Sequence, residues 1–336
     1  MKYVVQKIAE AKSILLSTHR QCDGDGLGAQ LGLFHALKKA GKNVRILNVD
    51  GTPKKYSFLQ PEKHLSYFQG PHEPVAVTDL CLIFDTNDRR LVEPLYSNLE
   101  TKCAQILFID HHPILHKGPE PTPGSIIDIE AASTGEVTYH IIQELKIELD
   151  ADIARALYTS IVFDTQLFRF IRGRAHSHQI ATHLLEYEKN PEEVHRFLFG
   201  NQTVGKLRFL AKALGEIEFL RDNQLALLKI ALVDLDRFSL DFDDARDIID
   251  TIMNIEELEA AVMFREDGPR DYKVSLRSKG QIEVLGVAEA IGGGGHRFAA
   301  GAFVQDEYEN LRRTVIEALS SEFEKHPGLK KTNKKT

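Results

Sequence analysis

The sequence predicts an α/β protein of two domains: a doubly wound, mainly parallel sheet domain, then a smaller α/β domain, with the active-site cleft between them. Three observations predict this. Short apolar runs alternate with amphipathic stretches through the first half, the signature of a parallel sheet covered by helices on both faces. A mostly helical stretch follows, from about residue 150 to 220, broken at Asn190-Pro191, where a new helix starts. A second alternating block then runs to a final helix. The 336 residues exceed one typical domain and suit two.

The elements can be justified in order. Ser13–Thr18, Val44–Val49, Leu80–Phe84 and Gln105–Ile109 are short apolar runs and read as buried strands. Leu27–Lys39 has helical spacing and stops at Gly41, a helix-ending residue. Ser133-Thr134-Gly135-Glu136 is a capping box that opens a helix over Val137–Leu145. Ile180–Glu188 and Val204–Phe219 show helical spacing. The second block reads as a strand at Leu225–Leu232, a helix near Ala245–Met253, and strands at Ala260–Arg265 and Tyr272–Arg277. A helix then ends in Gly292-Gly293-Gly294-Gly295, and Tyr308–Phe323 forms the last helix. The expected division is a first domain at 1–190, a helical linker at 191–220, a second domain at 221–328 and a Lys-rich, disordered tail at 329–336.

Composition narrows the function classes. No apolar run approaches the roughly 20 residues that span a bilayer, so no membrane partner is expected. The first residues lack a long apolar core and a small-residue cleavage site, so no signal peptide is expected. Three scattered cysteines, Cys22, Cys81 and Cys103, do not make a disulfide framework; they fit a reducing compartment, the cytoplasm. The net charge of −7 lacks the basic footprint of a protein that tracks long nucleic acid. Any nucleotide partner should therefore be short or single.

Four apolar runs in the first domain end in ligand-type residues. The first leads into His19, then Asp23 and Asp25; the second into Asp85; the third into Asp110, His111 and His112; Ser160–Phe163 leads into Asp164. In an open α/β sheet, ligands bind beyond the carboxyl ends of the strands, so these groups should converge on one crevice. Each alone has an ordinary reading as a turn, a cap or a surface histidine; the joint occurrence carries the argument. Several carboxylates in one cleft repel one another, and no comparably dense Lys or Arg cluster is interleaved to neutralise them. Two divalent cations would do so. Mixed imidazole and carboxylate donors suit a transition metal such as Mn²⁺ better than Mg²⁺ or Ca²⁺. A bridging Asp can hold two such ions roughly 3.5–4 Å apart.

These residues resemble the four motifs of the DHH phosphoesterases: His19-Arg20-Gln21-Cys22-Asp23-Gly24-Asp25 with Gly28, then Asp85, then Asp110-His111-His112, then Asp164-Thr165. The run Gly292–Gly295 with His296, continuing to Ala299-Ala300-Gly301, resembles the mark of the DHH-associated domain. Together the two resemblances cover nearly the whole chain. They imply that His19, Asp23 and Asp85 hold one metal and that Asp25, Asp85, His111 and Asp164 hold the other, with Asp85 bridging. A water between the ions would be the nucleophile, His112 would face the substrate phosphate, and Asp110 would orient an imidazole. Cys22 stands where the family often has Pro, as a soft extra ligand or a space-filler.

The glycine run exceeds what a helix end requires; glycines permit close backbone approach and an anion nest. The resemblance implies that Gly293, Gly294, Gly295 and His296 bind substrate, with Ser275 and Arg277 from a strand of the same pocket. Arg169 matches a frequent family position and could clamp a phosphate bidentately. The size and domain pairing are most similar to family members that act on short oligoribonucleotides and on 3′-phosphoadenosine 5′-phosphate. The expected partners are therefore short RNA or a mono- or dinucleotide, with a homodimer left open. Two alternatives stand beside this reading: hydrolysis of cyclic or linear dinucleotides, and a nucleotide-binding regulator without catalysis.

Overall fold

The computed structural model describes residues 1–70, 75–115, 118–200, 202–240, 245, 248–327 and 329. The expected tail lies outside the described residues beyond 329, as do residues 246 and 247 of the helix expected near Ala245–Met253. The chain divides into two compact units, residues 1–201 and 202–336.

The first unit carries a six-stranded sheet: β1 (Ser13–Thr18), β2 (Asn43–Asn48), β3 (Leu65–Tyr67), β4 (Thr78–Phe84), β5 (Cys103–Asp110) and β6 (Ile126–Ile127), in the order β3-β2-β1-β4-β5-β6. Every neighbouring pair is parallel. Seven helices belong to this unit among the described residues: α1 (Lys2–Glu10), α2 (Gly24–Lys39), α3 (Leu95–Lys102), α4 (Thr134–Glu144), α5 (Ala151–Asp164), α6 (His176–Leu184) and α7 (Pro191–Phe199). Both faces of the sheet are buried, which is why its strands are continuous apolar runs and do not alternate. Leu16, Leu82 and Leu107 face α2 and α5 through Leu27, Leu31, Ile153 and Leu157. Leu15, Cys81, Ile83 and Phe108 face the other way, onto Leu95 and Leu99 of α3. The order reverses between β1 and β4, so the crevice at their carboxyl ends is the topological switch point where open sheets bind ligands.

Helix α2 begins three residues before the apolar spacing indicates. Asp23 is its N-cap and accepts from the Asp25 backbone N–H at 3.1 Å, so Asp-Gly-Asp-Gly makes a cap and a first turn. This helix lies very close to α5: a Cβ on Gly28 would sit 2.5 Å from the Ala156 carbonyl oxygen, and one on Gly32 2.7 Å from Leu157. Helix α6 begins at His176 and ends at Leu184, ahead of the expected Ile180–Glu188, because the apolar spacing continues into the turn through Tyr187, which packs on the core.

The second unit holds another six-stranded sheet: β7 (Glu218–Leu220), β8 (Leu225–Ile230), β9 (Ala260–Gly268), β10 (Asp271–Ser278), β11 (Gly294–His296) and β12 (Ala299–Gln305), in the order β11-β12-β10-β9-β8-β7. Only β8 and β9 run parallel. Its described helices are α8 (Val204–Gly215), α9 (Leu232–Phe238), α10 (Ile248–Ile252), α11 (Leu285–Ala290) and α12 (Tyr308–Glu324). One face packs on α11 and α12 through Val274, Leu276, Leu311 and Val315; the other packs on α8 to α10 through Leu228, Met263, Phe209 and Ile249. The helix expected over Val204–Phe219 stops at Gly215, a poor helix residue. Glu218–Leu220 instead pairs antiparallel with β8 across the left-handed turn Arg221-Asp222-Asn223. Of the segment expected as a linker, α7 packs against α5 in the first unit, and α8 packs against α9 in the second.

Candidate metal centre

The first unit's switch point gathers the ligand-type residues. His19 follows β1, Asp85 follows β4, and Asp110 ends β5, with His111 and His112 next. Asp23 and Asp25 arrive on the cap and first turn of α2. Asp164 comes from the end of a helix, α5, and not from a strand; the carboxyl end of a helix dipole adds negative potential there. One ligand atom from each of His19, Asp23 and Asp85 lies within 4.8 Å of the others. The same holds for Asp25, His111 and Asp164, and for Asp85, Asp110 and His112. Asp85 faces both imidazoles with different oxygens: Oδ2 is 3.4 Å from His19 Nε2, and Oδ1 is 3.8 Å from His111 Nε2. Cys22 is buried but joins none of these groups.

The local backbone is shaped around this arrangement. Asp85 sits at φ +60°, a left-handed conformation that costs a non-glycine residue free energy and recurs at functional sites. Its backbone N–H is held by the Ile109 carbonyl at 3.0 Å. A Cβ on Gly26 would meet Thr18 Oγ1 at 2.4 Å and Asp85 Cβ at 3.1 Å, so only glycine lets α2 come this near. Four supporting residues fall outside the motif positions. Helix α4 points its amino end at Asp25: the Thr134 N–H donates to Oδ2 at 2.8 Å and the Gly135 N–H to Oδ1 at 3.2 Å. The Ser160 hydroxyl also donates to Asp25, and the Thr134 hydroxyl donates to Asp85 Oδ1 at 3.0 Å. Asn87 donates from Nδ2 to Asp110 Oδ2 at 2.7 Å and to the His112 carbonyl at 2.9 Å. The sequence signal for the α4 contribution was the capping box; its second use, with its amides turned to a carboxylate, depends on a partner more than a hundred residues away.

Hydrogen bonding fixes the imidazole tautomers. His19 Nδ1 lies 2.7 Å from the Arg20 carbonyl oxygen, and His111 Nδ1 lies 3.2 Å from that of Ala131. A carbonyl only accepts, so Nδ1 carries the proton in each ring and Nε2 presents a lone pair. For His111 that lone pair faces carboxylate oxygens of Asp25 at 3.4 Å, Asp164 at 3.5 Å and Asp85 at 3.8 Å. Burial, and then the neighbouring His112 charge, hold His111 down to about 3, so it is neutral. A lone pair ringed by carboxylates is repulsive unless a cation stands between them; this donor set fits divalent metal ions.

The carboxylates point the same way. Burial, then the Asp25 charge, pushes Asp85 well above the ordinary range, and burial with Asp25 does the same to Asp164. Burial raises Asp25 to about 6 against the bonds from Ser160 and Thr134. His112 differs. Burial opposes its charge, but Asp110, 2.8 Å from Nδ1, lifts it to about 9, so it is an imidazolium. Burial would raise Asp110 in turn, but the His112 charge and hydrogen bond hold it below its ordinary value.

Arg169 is exposed, its guanidinium 5.2 Å from the Phe170 ring, after a turn in which Gln166, Leu167 and Phe168 all have positive φ. In the second unit, Ser275 stands on β10 opposite Gly301, and Arg277 pairs with Asp250 at 3.1 Å. Of the four glycines expected to form an anion nest, two have their N–H groups already bonded. The N–H groups of Gly292 and Gly293 donate to the Glu289 and Ala288 carbonyls and close α11, because a helix end needs those bonds. Gly294, Gly295 and His296 form β11 against Ala299–Gly301. A Cβ on Gly293 would lie 2.1 Å from the Gly301 carbonyl oxygen, so this approach too requires glycine.

Residues 13–161 match the model of the DHH family, N-terminal domain, and residues 223–325 match the DHHA1 domain. The chain is 30% identical to a bifunctional oligoribonuclease and PAP phosphatase, NrnA, of Thermus thermophilus, over 92% of this chain and 90% of that protein. It is 24% identical to the cyclic-di-AMP phosphodiesterase GdpP of Bacillus subtilis, over 92% of this chain and 48% of that one. The fold matches an exopolyphosphatase-related protein from Bacteroides fragilis with a TM-score of 0.83 and 21% identity, covering 95% of each chain.

Proposed function

The chain belongs to the DHH family of phosphoesterases, and from that premise we propose that it hydrolyses short oligoribonucleotides and 3′-phosphoadenosine 5′-phosphate with two Mn²⁺ ions. The observation that carries the metal assignment is the Asp85 carboxylate, with one oxygen toward His19 and the other toward His111. In this reading His19, Asp23 and Asp85 hold one ion, and Asp25, Asp85, His111 and Asp164 hold the other. Bound there, two divalent ions supply Lewis acidity at the phosphoryl oxygens and lower the pKa of a water.

The chain's own residues do the rest. The Asp110-charged imidazolium of His112 neutralises phosphate charge and holds a proton for the leaving oxygen. Thr134, Gly135 and Ser160 fix the carboxylates that would otherwise repel. We assign Arg169, Ser275, Arg277, Gly293, Gly294, Gly295 and His296 to binding the nucleotide. The substrate choice draws support from the 30% identity to an oligoribonuclease and PAP phosphatase and from the net charge of −7, which gives long polyanions little attraction. Among the described residues, no helix is long and apolar enough to cross a membrane, and we assign the enzyme to the cytoplasm.

The GdpP similarity favours a second reading, hydrolysis of cyclic or linear dinucleotides. One panel separates the two: RNA of two to ten nucleotides, 3′-phosphoadenosine 5′-phosphate, cyclic dinucleotides and pyrophosphate, each with Mn²⁺ at two ionic strengths. The proposal expects the highest kcat/KM on dinucleotides and 3′-phosphoadenosine 5′-phosphate, falling with length. Preference for cyclic dinucleotides, or efficiency that rises with length, would replace it.

A further inference from the structure

The turn after β4 does two jobs. Its first residue, Asp85, turns a carboxylate toward the gathered ligand-type side chains. Two residues on, Asn87 turns an amide the other way, onto the strand-end motif of β5. Asn87 is 5% exposed, and both partners of its Nδ2 are pure acceptors: the Asp110 carboxylate at 2.7 Å and the His112 carbonyl at 2.9 Å. That chemistry fixes which way the amide faces, because Oδ1 in the same place would meet two oxygens.

Asp110 is fully buried and has two oxygens to satisfy. Oδ1 accepts from the His111 N–H and lies 2.8 Å from His112 Nδ1. Oδ2 takes the Asn87 amide. The carboxylate is thus pinned by donors on both oxygens, and the plane in which it presents Oδ1 to the His112 ring is set from the Asn87 side. The second Asn87 bond fixes the backbone from which that ring projects.

We propose that Asn87 is a positioning residue for the reaction: through Asp110 Oδ2 and the His112 carbonyl it fixes the plane and reach of the His112 imidazole. The inference rests on the reading of His112 given above as the group that meets the substrate phosphate. It assigns Asn87 no contact with substrate or metal. A group of this kind should matter for kcat and hardly at all for substrate affinity or metal content.

The chemistry also sets an order among substitutions. Asn87→Asp keeps the shape but brings a carboxylate oxygen against a carboxylate and a carbonyl. Asn87→Leu keeps the volume and loses both donors. Asn87→Ala opens room for a water that can donate in the amide's place. The loss should therefore run Asp greater than Leu greater than Ala. A residue that merely fills space would give the reverse, with the isosteric Asp mildest.

The experiment measures kcat, KM and bound Mn²⁺ for these three variants, for His112→Ala, and for the double variant Asn87→Leu/His112→Ala. The substrates are a diribonucleotide and 3′-phosphoadenosine 5′-phosphate. For Asn87→Asp we expect a fall in kcat of roughly 10- to 100-fold, with KM within about twofold and Mn²⁺ content at the wild-type level. The double variant should be no slower than His112→Ala alone, since the amide acts only through that ring. Additive losses, or an order led by Ala, would overturn the positioning role. If His112→Ala is as fast as wild type, the reading of His112 fails, and that outcome is distinct. A crystal structure of Asn87→Asp decides the geometry without any assay: the Asp110 carboxylate should rotate away from His112 Nδ1, and an unmoved Asp110–His112 pair would overturn the inference.

Discussion

The two units assemble their candidate site residues by opposite routes. In the first, the metal-type residues come from separate elements, the ends of β1, β4 and β5, the start of α2 and the end of α5, and meet at one switch point. In the second, the glycine segment is contiguous in sequence, and its constraints are local: Gly292 and Gly293 close a helix, and Gly294–His296 pair with the strand that follows almost at once. The first arrangement is held by long-range bonds to carboxylates, the second by backbone geometry. On the proposed function, damage to the first should therefore propagate to the ions, whereas damage to the second should stay with the substrate.

The largest expected effect tests that contrast directly. Asp85→Ala removes the carboxylate shared by two groups and should lower both bound Mn²⁺ and hydrolysis to background. His296→Ala should weaken nucleotide turnover with metal content intact, as read by elemental analysis beside the kinetics. Near wild-type turnover in Asp85→Ala would break the two-metal assignment. Loss of metal in His296→Ala would erase the contrast between the units.

A smaller effect sharpens the first half of the comparison. Thr134→Val keeps the N–H that serves Asp25 and removes the hydroxyl that serves Asp85. Activity should fall roughly 10- to 100-fold, the usual loss for a group that orients a metal ligand. Thr134→Ser, which keeps the hydroxyl, should stay near wild type. Equal rates for the Val and Ser variants would show that the hydroxyl bond is idle.

The ligand convergence was legible because each apolar run ended in a residue whose type matched its place: a carboxylate or an imidazole at the mouth of a parallel sheet. The groups that support those ligands were not legible. Thr134 reads as a helix start, Ser160 as one polar residue in an apolar helix, and Asn87 as a turn residue. Each gains its role only from a partner distant in sequence, and no local spacing encodes such pairings. The helix running past Gly215 was a related error, since the apolar spacing of Ile217 and Phe219 serves a strand as well as a helix. Asp164 ends an apolar run as the other candidates do, but that run is the last turn of a helix, and nothing in its composition tells the two states apart.

The smallest expected effect is thermodynamic and confined to the first unit. In metal-free protein, Asp85 and Asp164 hold protons well above the ordinary range, and His112 holds one up to about 9. All three bind protons more tightly folded than unfolded, so their contribution to stability is present at low pH and is lost as pH rises. His111 is depressed to about 3 and is neutral in both states above its ordinary 6.5, so it is silent there. Between pH 6.5 and 9 the metal-free Tm should thus fall, by an amount on the order of a few degrees. Saturating Mn²⁺ should flatten the curve, because the cations replace the protons. Thermal melts with and without chelator check this, and a metal-free Tm that rises over that window would contradict it.

The scattered origin of the candidate ligands has a consequence for how the chain matures. His19 and Asp164 bracket most of the first unit, and among its described residues no single helix or strand carries a complete set. On the proposed function, a nascent or nicked chain would grip an ion only weakly, and tight capture would wait until the β1–β4 seam and the packing of α2 on α5 are both in place. Binding of this kind is folding free energy delivered at the last step. A cell poor in the metal would accumulate a first domain that is complete in sequence yet open to proteases, so metal supply would set the enzyme's lifetime as well as its rate.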